Sequence, residues 1–408
     1  MSGALAHIRV LDLSRVLAGP WCSQHLADLG AEVIKIERPV IGDETRAWGP
    51  PFLKNENGED TKEAGYYLRC NRGKKSLTLD ISTAEGQDIV RKLAAKSDVV
   101  LENYKVGQLK KYGLGYDDLK AINPKIVYCS ITGFGQTGPW SHRPGYDFII
   151  QGLGGLMSIT GERDDLPGGG PQKVGVAVTD LMTGMYSTIA VLAALTHRDR
   201  TGVGQYIDMA LLDVSVAMLA NMNMNYLTSG QVPKRWGNAH PNVIPYQVFA
   251  CSDGHIIVAV GNDSQFRKFC EVLDSPELGV DPRFTTNSNR IRNRDTLIPL
   301  LEPLMQARSR DAWVDALEAA SVPCGPINNI DQVFQNPQVK ARGIKIEIPH
   351  ELAGKVPQVA SPMRFSETPI EYNAAPPTLG QHNEYVLREL LGMQTDAIEG
   401  LRRIHVVD

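Results

Sequence analysis

The first 37 residues constrain the fold most strongly. Apolar residues 8–13 precede a stretch, 19–30, that Gly19-Pro20 opens as a helix, and apolar residues 32–36 follow. Proline is tolerated in a first helical turn because its missing N–H would have no partner there. Strand, helix and strand in so short a span predict a right-handed βαβ unit with parallel strands. The alternation continues: 76–80 reads as a strand, 83–95 as an amphipathic helix, and 98–102 and 125–131 as two further strands. The predicted fold class is α/β, built on an open, Rossmann-like parallel sheet.

From 133 to 175 the pattern dissolves into GFGQTGPW, RPGYD, QGLGGL and DDLPGGGPQ, too rich in glycine and proline for regular elements. Long ordered loops of this kind usually carry function. Apolar 181–195 and then 211–227 read as two long core helices. Near 229 the character changes: 246–251 and 255–260 flank Ser252-Asp253-Gly254 as a hairpin, and helices are expected at 263–274, 295–308 and 310–320. The expected division is a large α/β domain at 1–228, a smaller inserted α+β domain at 229–325, and a segment at 326–408. That last segment, with strands at IKIEIP and SPMRF and a helical region from 381, is expected to return to the large domain.

Composition excludes several function classes. The 42 basic and 46 acidic residues are interspersed, leaving a net charge of −4, so no global field would draw in nucleic acid or an anionic membrane. The N-terminus MSGALAHIRVLDLS has no signal-peptide pattern, and no apolar stretch is expected to reach the roughly 18 residues that span a bilayer. The expectation is a cytoplasmic protein with neither nucleic acid nor membrane as partner. Cysteines 22, 70, 129, 251, 270 and 324 form no CxxC pair and read as reduced thiols. The histidines show no metal-ligand spacing, so no metal site is expected.

GFGQTG at 133–138 matches the dinucleotide fingerprint GxGxxG, but Pro139 and Pro144-Gly145 break the chain before the helix that pyrophosphate binding requires. A loop serving some other site is expected. There is no GxSxG elbow and no P-loop. Asp180 stands where the flexible GGGPQKVGVAVT segment meets the apolar helix. It reads either as that helix's N-cap or as a nucleophile kept ionised by helix amides, and spacing does not decide between them. Arg38, Arg72, Lys74, Lys75, Lys111 and Arg143 fall at strand ends and loops of the α/β region, where open sheets bind ligands, or else are solvated surface charge. Tyr146-Asp147 follows a Pro-Gly turn.

Several segments together resemble the class III CoA-transferases, the family of formyl-CoA:oxalate, carnitine and succinyl-CoA:dicarboxylate CoA-transferases. They are IRVLDLSRVLAGPWCSQHLADLGAEVIKIERP (8–39), GDETRAWGPPF (42–52), NRGKKSLTLD (71–80), ENYKVGQLKKYGLGYDDL (102–119), GFGQTGP (133–139), PGYD (144–147) and VGVAVTDLMTG (174–184). TGVGQYIDMALLD, GPINNIDQVF and LGQH extend the match over nearly the whole chain. The resemblance implies a large domain formed by both chain ends, a small inserted domain, and an interlocked homodimer. It implies that Asp180 is the catalytic nucleophile, that Arg38 stacks beside the CoA adenine, and that Leu79, Asn103 and Tyr104 complete that pocket. Lys111 matches a residue that meets CoA phosphate, and Tyr146-Asp147 an aromatic-acidic pair near the thioester. Leu17 and Pro144 depart from a glutamine and a lysine of oxalate-specific members, with Arg143 as a substitute for the lysine.

KRWGNAH (234–240), IPYQVF (244–249) and GPINN (325–329) resemble the family's succinyl-CoA:glutarate members. The implied partners are an acyl-CoA and a dicarboxylic acid, with Arg235 and His240 as candidates for the distal carboxylate. CoA esters enter as substrates, with no permanently bound cofactor. The rival readings are an acyl-CoA racemase of the same family, for which His142 lies near the right region, a formyl-CoA:oxalate-type transferase, and a non-catalytic CoA-binding subunit.

Overall fold

The computed structural model describes residues 3–408, which fall into two compact units. One comprises the chain up to residue 156 together with 174–227 and 338–408; the other comprises 157–173 and 228–337. The second unit therefore reaches twelve residues beyond the expected 325 and also takes in part of the glycine-rich segment that precedes Asp180.

The first unit is organised by six parallel strands: β1 (Arg9–Asp12), β2 (Glu32–Glu37), β3 (Lys74–Thr78), β4 (Val99–Glu102), β5 (Val127–Thr132) and β6 (Tyr206–Ala210). Their order is β3-β2-β1-β4-β5-β6, the doubly wound arrangement whose direction of growth reverses between β1 and β4. The helices used below are α1 (Ala18–Asp28), α2 (Ala84–Ala94), α3 (Tyr116–Ile122), α4 (Asp147–Leu153), α5 (Val178–Thr201), α6 (Leu211–Ala217) and α7 (Asn221–Ser229). Val10, Val33, Val99, Val127 and Cys129 of the sheet share a core with Cys22 and Leu26 of α1 and with Val191 and Leu195 of α5. On the opposite face Leu11, Ile34, Leu77, Val100 and Tyr128 pack with Ile89 and Leu93 of α2 and Leu119 of α3. Coverage of both faces explains why the strands read as nearly continuous apolar runs.

α5 runs close to α1 because Gly184 has no Cβ. A methyl there would come within 2.8 Å of the Ala18 carbonyl and 2.9 Å of the Trp21 side chain. By length and composition α5 meets the threshold for crossing a bilayer, contrary to the expectation that no stretch does. In this fold Thr183, Gly184, Ser187 and Val191 bury one side of it. The other side, with Met185, Tyr186 and Ile189, is exposed, so α5 is not the all-round core helix that its composition suggested. The single helix expected at 211–227 is broken into α6 and α7, with Ala220 at a φ of +47° between them.

In the second unit β7 (Tyr246–Cys251) and β8 (Gly254–Ala259) form the expected hairpin, and β9 (Cys324–Pro326) joins the outer edge of β8. Phe249, Phe266, Phe269, Phe284 and Trp313 fill the core between this sheet and helices α8 (Asp263–Val272), α9 (Arg294–Met305) and α10 (Arg310–Ala319). Of the C-terminal segment, residues 326–337 belong to the second unit and 338–408 to the first. There β10 (Lys345–His350) pairs with β11 (Gly354–Val359), whereas SPMRF, interrupted by proline, forms no strand. Helix α11 (Thr395–Arg403) sends Ile398 and Leu401 into the core beneath β3.

Candidate active site

Open α/β sheets place ligands beyond the carboxyl ends of the strands, where the strand order reverses. At that point the chain leaves β1 through Ser14-Arg15-Val16 and leaves β4 through Asn103-Tyr104. The two exits are tied: Asn103 Oδ1 accepts the Arg15 amide at 2.9 Å, and Asn103 Nδ2 donates to the Arg15 carbonyl at 2.7 Å. Val16, β-branched, sits at a φ of +69°, a conformation that costs energy and clusters at functional sites. It is held from below by Asp43, whose carboxylate accepts the Val16 amide at 3.2 Å and pairs with the fully buried Lys35 ammonium at 2.9 Å. That pairing holds the Asp43 carboxyl down at about 2 against its burial.

A cavity of about 310 Å³ opens above this crossing. Its walls include Arg15, Val16, Leu17, Trp48, Asn103, Tyr104, His142, Arg143, Tyr146 and Asp180. Gly133 and Gly145, also in the wall, let two loops cross backbone to backbone, since a Cβ on Gly133 would lie 2.5 Å from the Gly145 Cα. GFGQTG thus forms wall and turn, and no helix opens until Asp147. A second cavity, about 410 Å³, lies at the ends of β2 and β3 and is lined by Ile36, Arg38, Leu79, Ile81, Tyr104 and His405 among others. Tyr104 and Arg15 line both.

Asp180 is neither N-cap nor first residue of its helix. α5 begins at Val178, three residues earlier than its apolar run, and its N-cap position is Ala177, which offers no side-chain acceptor. The cap comes from a distant residue: Asp147 Oδ1 accepts the amides of Thr179 at 2.8 Å and Asp180 at 3.3 Å. Gln151 Nε2 holds the other Asp147 oxygen at 2.6 Å. The partly buried Asp180 carboxylate is left without a protein hydrogen-bond donor among the described residues. Burial, and next the Asp147 charge, push its carboxyl up to about 7, with the Arg69 guanidinium opposing.

Five of the residues named from sequence, Asn103, Tyr104, Arg143, Tyr146 and Asp180, meet in the first cavity, and Arg38, Leu79 and Tyr104 meet in the second. Lys111 is exposed at the end of a one-turn helix and lines neither. Arg235 and His240 lie in the second unit. There Arg235 pairs with Asp164 and donates to the carbonyls of Glu162 at 3.2 Å and Ser158 at 3.3 Å. His240 Nδ1 accepts the Asn242 amide at 3.0 Å. The strand-end cations are structural: Lys74 pairs with Asp12, Arg72 with Asp28 and Lys75 with Glu32.

Sequence reading passed over Trp48, Tyr66 and Arg69. Trp48 enters the cavity wall and meets Tyr66 edge-on, 5.0 Å between ring centroids, while the Arg69 guanidinium lies 4.4 Å from the Tyr66 ring. No local pattern marks them, because the 3-10 turn Glu44–Ala47, which Trp48 ends, and the short helix Gly65–Leu68 bring them together only in the fold.

A model of the family described as CoA-transferase family III matches residues 5–383. Among curated proteins, a succinate–glutarate CoA-transferase of Agrobacterium fabrum is 50% identical over 386 residues, 95% of each chain. A human succinyl-CoA:glutarate CoA-transferase is 44% identical over 404 residues, 99% of this chain and 90% of that one. Among solved structures, a CaiB/BaiF family protein from Brucella suis superposes with a TM-score of 0.84 at 51% identity, covering 96% of this chain and all of that one.

Proposed function

The chain belongs to CoA-transferase family III, and from that premise we propose that it moves CoA from succinyl-CoA to glutarate or a dicarboxylic acid of similar length. One observation carries the reading. Asp180 presents to a cavity a carboxylate that no protein donor among the described residues holds, on a helix whose first amides another carboxylate has already satisfied. A carboxylate without hydrogen-bond donors and partly desolvated is a stronger nucleophile than one in water.

In the proposed cycle the Asp180 carboxylate attacks the succinyl carbonyl, the carbon–sulfur bond breaks, and CoA leaves as thiolate from a mixed anhydride. The thiolate attacks the aspartyl carbonyl and expels succinate, leaving an aspartyl-CoA thioester. The acceptor carboxylate attacks that thioester, thiolate departs again, and its attack on the acceptor's acyl carbon releases the new CoA ester and the free Asp180 carboxylate. Bonds and charge balance at each step. The fold contributes position and exclusion of water, with backbone amides of the glycine-rich wall suited to the tetrahedral oxyanions. Arg38, Leu79 and Tyr104 are assigned to the nucleotide end and Arg143 and Tyr146 to the thioester end, with Asn103 holding the crossing beneath the Asp180 cavity; Lys111, which lines neither cavity, has its phosphate role from the resemblance alone. Tyr104, common to both cavities, supports a ligand that runs from one to the other.

The assembly we propose is an interlocked homodimer acting in the cytoplasm. Phe148, Ile149, Met185, Tyr186, Ile189 and Leu227 are all exposed on the first unit, a concentration of apolar surface that monomers rarely leave uncovered. To test the activity, purified protein is given succinyl-CoA with a panel of mono- and dicarboxylic acids and the CoA esters are weighed by mass spectrometry. New esters of five-carbon dicarboxylates are expected; transfer to none of the dicarboxylates would refute the assignment.

A further inference from the structure

His405 enters the second cavity from the C-terminal segment, not from a sheet strand or its connecting loops. It is placed there firmly. Val406 and Val407 are buried in the core with Leu79 and Ile81, and the Val406 carbonyl accepts the Asp80 amide at 2.9 Å. Asp408 donates its amide to Thr78 Oγ1 at 3.1 Å and accepts the Val40 amide on its side chain at 2.9 Å. Residues 405–408 thus close one wall of the cavity alongside β3.

The residue type is unusual for the position. α11 ends in a Schellman turn, with the His405 amide donating to the Arg402 carbonyl at 3.0 Å and the Val406 amide to the Leu401 carbonyl at 3.0 Å. His405 occupies its left-handed position at a φ of +56°, where glycine is usual and a side chain costs energy. An exposed imidazole kept at that cost, facing a cavity, needs another explanation than the fold. The acids of the cavity are already engaged: Glu37 by Arg46, Asp43 by Lys35, and Asp80 by the amide and hydroxyl of Ser82. Among the described residues neither Arg38 nor His405 has a carboxylate partner.

We propose that His405 donates to the ribose 3′-phosphate of CoA and makes the enzyme selective for 3′-phosphorylated carriers. This rests on the CoA-transferase reading. His405 lines the second cavity and not the first, while Arg15 and Tyr104 line both. It therefore meets a phosphate that stays with the nucleoside, not the diphosphate that leads on toward Asp180.

The test compares succinyl-CoA with succinyl-3′-dephospho-CoA as donors for the full-length protein, its His405→Gly variant and its His405→Asn variant. Glycine relieves the left-handed backbone and asparagine tolerates it, so both variants are expected to melt no lower than wild type. Losing one hydrogen bond to a charged group predicts about a tenfold fall in kcat/KM with succinyl-CoA, carried by KM. With the dephospho ester the variants are expected to match wild type. Equal losses on both donors, or no loss on either, would overturn the proposal while leaving the transferase reading intact. Wild-type protein that transfers from neither donor would overturn that reading and this proposal with it.

Discussion

Asp147 and Asp180 divide two roles that one aspartate commonly combines. Asp147 accepts the first amides of α5 at 2.8 and 3.3 Å, and Asp180, in the first turn of the same helix, keeps its carboxylate free of protein donors among the described residues and lines the cavity. The arrangement has a cost, because burial, and next the neighbouring Asp147 carboxylate, raise the proton affinity of Asp180 to about 7.

That cost fixes the pH dependence. In the proposed mechanism only ionised Asp180 attacks the thioester, so kcat/KM is expected to rise about tenfold per unit below pH 7 and to level off above it. Asp147→Asn keeps an acceptor for the Thr179 amide but removes the neighbouring charge. The acidic limb of its profile is expected to move to lower pH, measured with succinyl-CoA at concentrations well below KM. An unmoved limb would mean that Asp147 does not tune Asp180.

Arg38 is exposed at the mouth of the second cavity and pairs with no carboxylate among the described residues, so Arg38→Ala is expected to leave the fold intact. Removal of its stacking and charged contact predicts a KM for succinyl-CoA about ten- to hundredfold higher with kcat little changed. Steady-state kinetics with CoA donor varied at saturating acid reads the split. An unchanged KM would remove Arg38 from the nucleotide site.

Much of this was legible in the chain and some was not, for identifiable reasons. The parallel sheet was, because strands buried on both faces are apolar throughout and the connecting helices are amphipathic. Asp180 was legible as a residue but not in its role, because its cap partner Asp147 lies 33 positions away and capping by a distant carboxylate leaves no local pattern. Arg72, Lys74 and Lys75 read as candidate ligand contacts, yet their partners Asp28, Asp12 and Glu32 come from other elements. The break between α6 and α7 was hidden, since nothing in LLDVSVAMLANMNMNYL forces Ala220 into a left-handed turn. His405 sits beyond α11 in a segment with no motif, and its place in a cavity wall depends on the burial of Val406 and Val407.

The exposed apolar side chains of α4, α5 and α7 predict a second chain against them. Sedimentation velocity from micromolar down to nanomolar concentration is expected to give one dimeric species, because chains interlocked as proposed would separate only by unfolding. Ile189→Asp, on the exposed face of α5, is expected to lower the yield of dimer and expose an aggregation-prone monomer. A monomer that forms reversibly on dilution would refute interlocking.

The substitution that tests the proposed role of Asp180 is Asp180→Asn, which preserves shape and removes the carboxylate. Transfer is expected to fall by about four orders of magnitude or more, as when other covalent nucleophiles are removed. Wild-type protein given succinyl-CoA without acceptor should gain a hydroxylamine-sensitive CoA adduct on the peptide bearing Asp180, and the variant should not. Stability is expected to change in the opposite sense to activity. Between the usual aspartate value of 3.8 and about 7, the native state holds a proton that the unfolded chain has released, so the stability contributed by this group is lost as pH rises through that window. The amide of the variant carries no such titration. The variant should therefore melt higher than wild type at pH 8, by an amount worth roughly 1–2 kcal/mol after allowance for solvent near the group, and the two should converge near pH 4. A variant that melts lower at pH 8 would show that the carboxylate stabilises the fold, and near-normal transfer by freshly purified variant would remove the covalent mechanism.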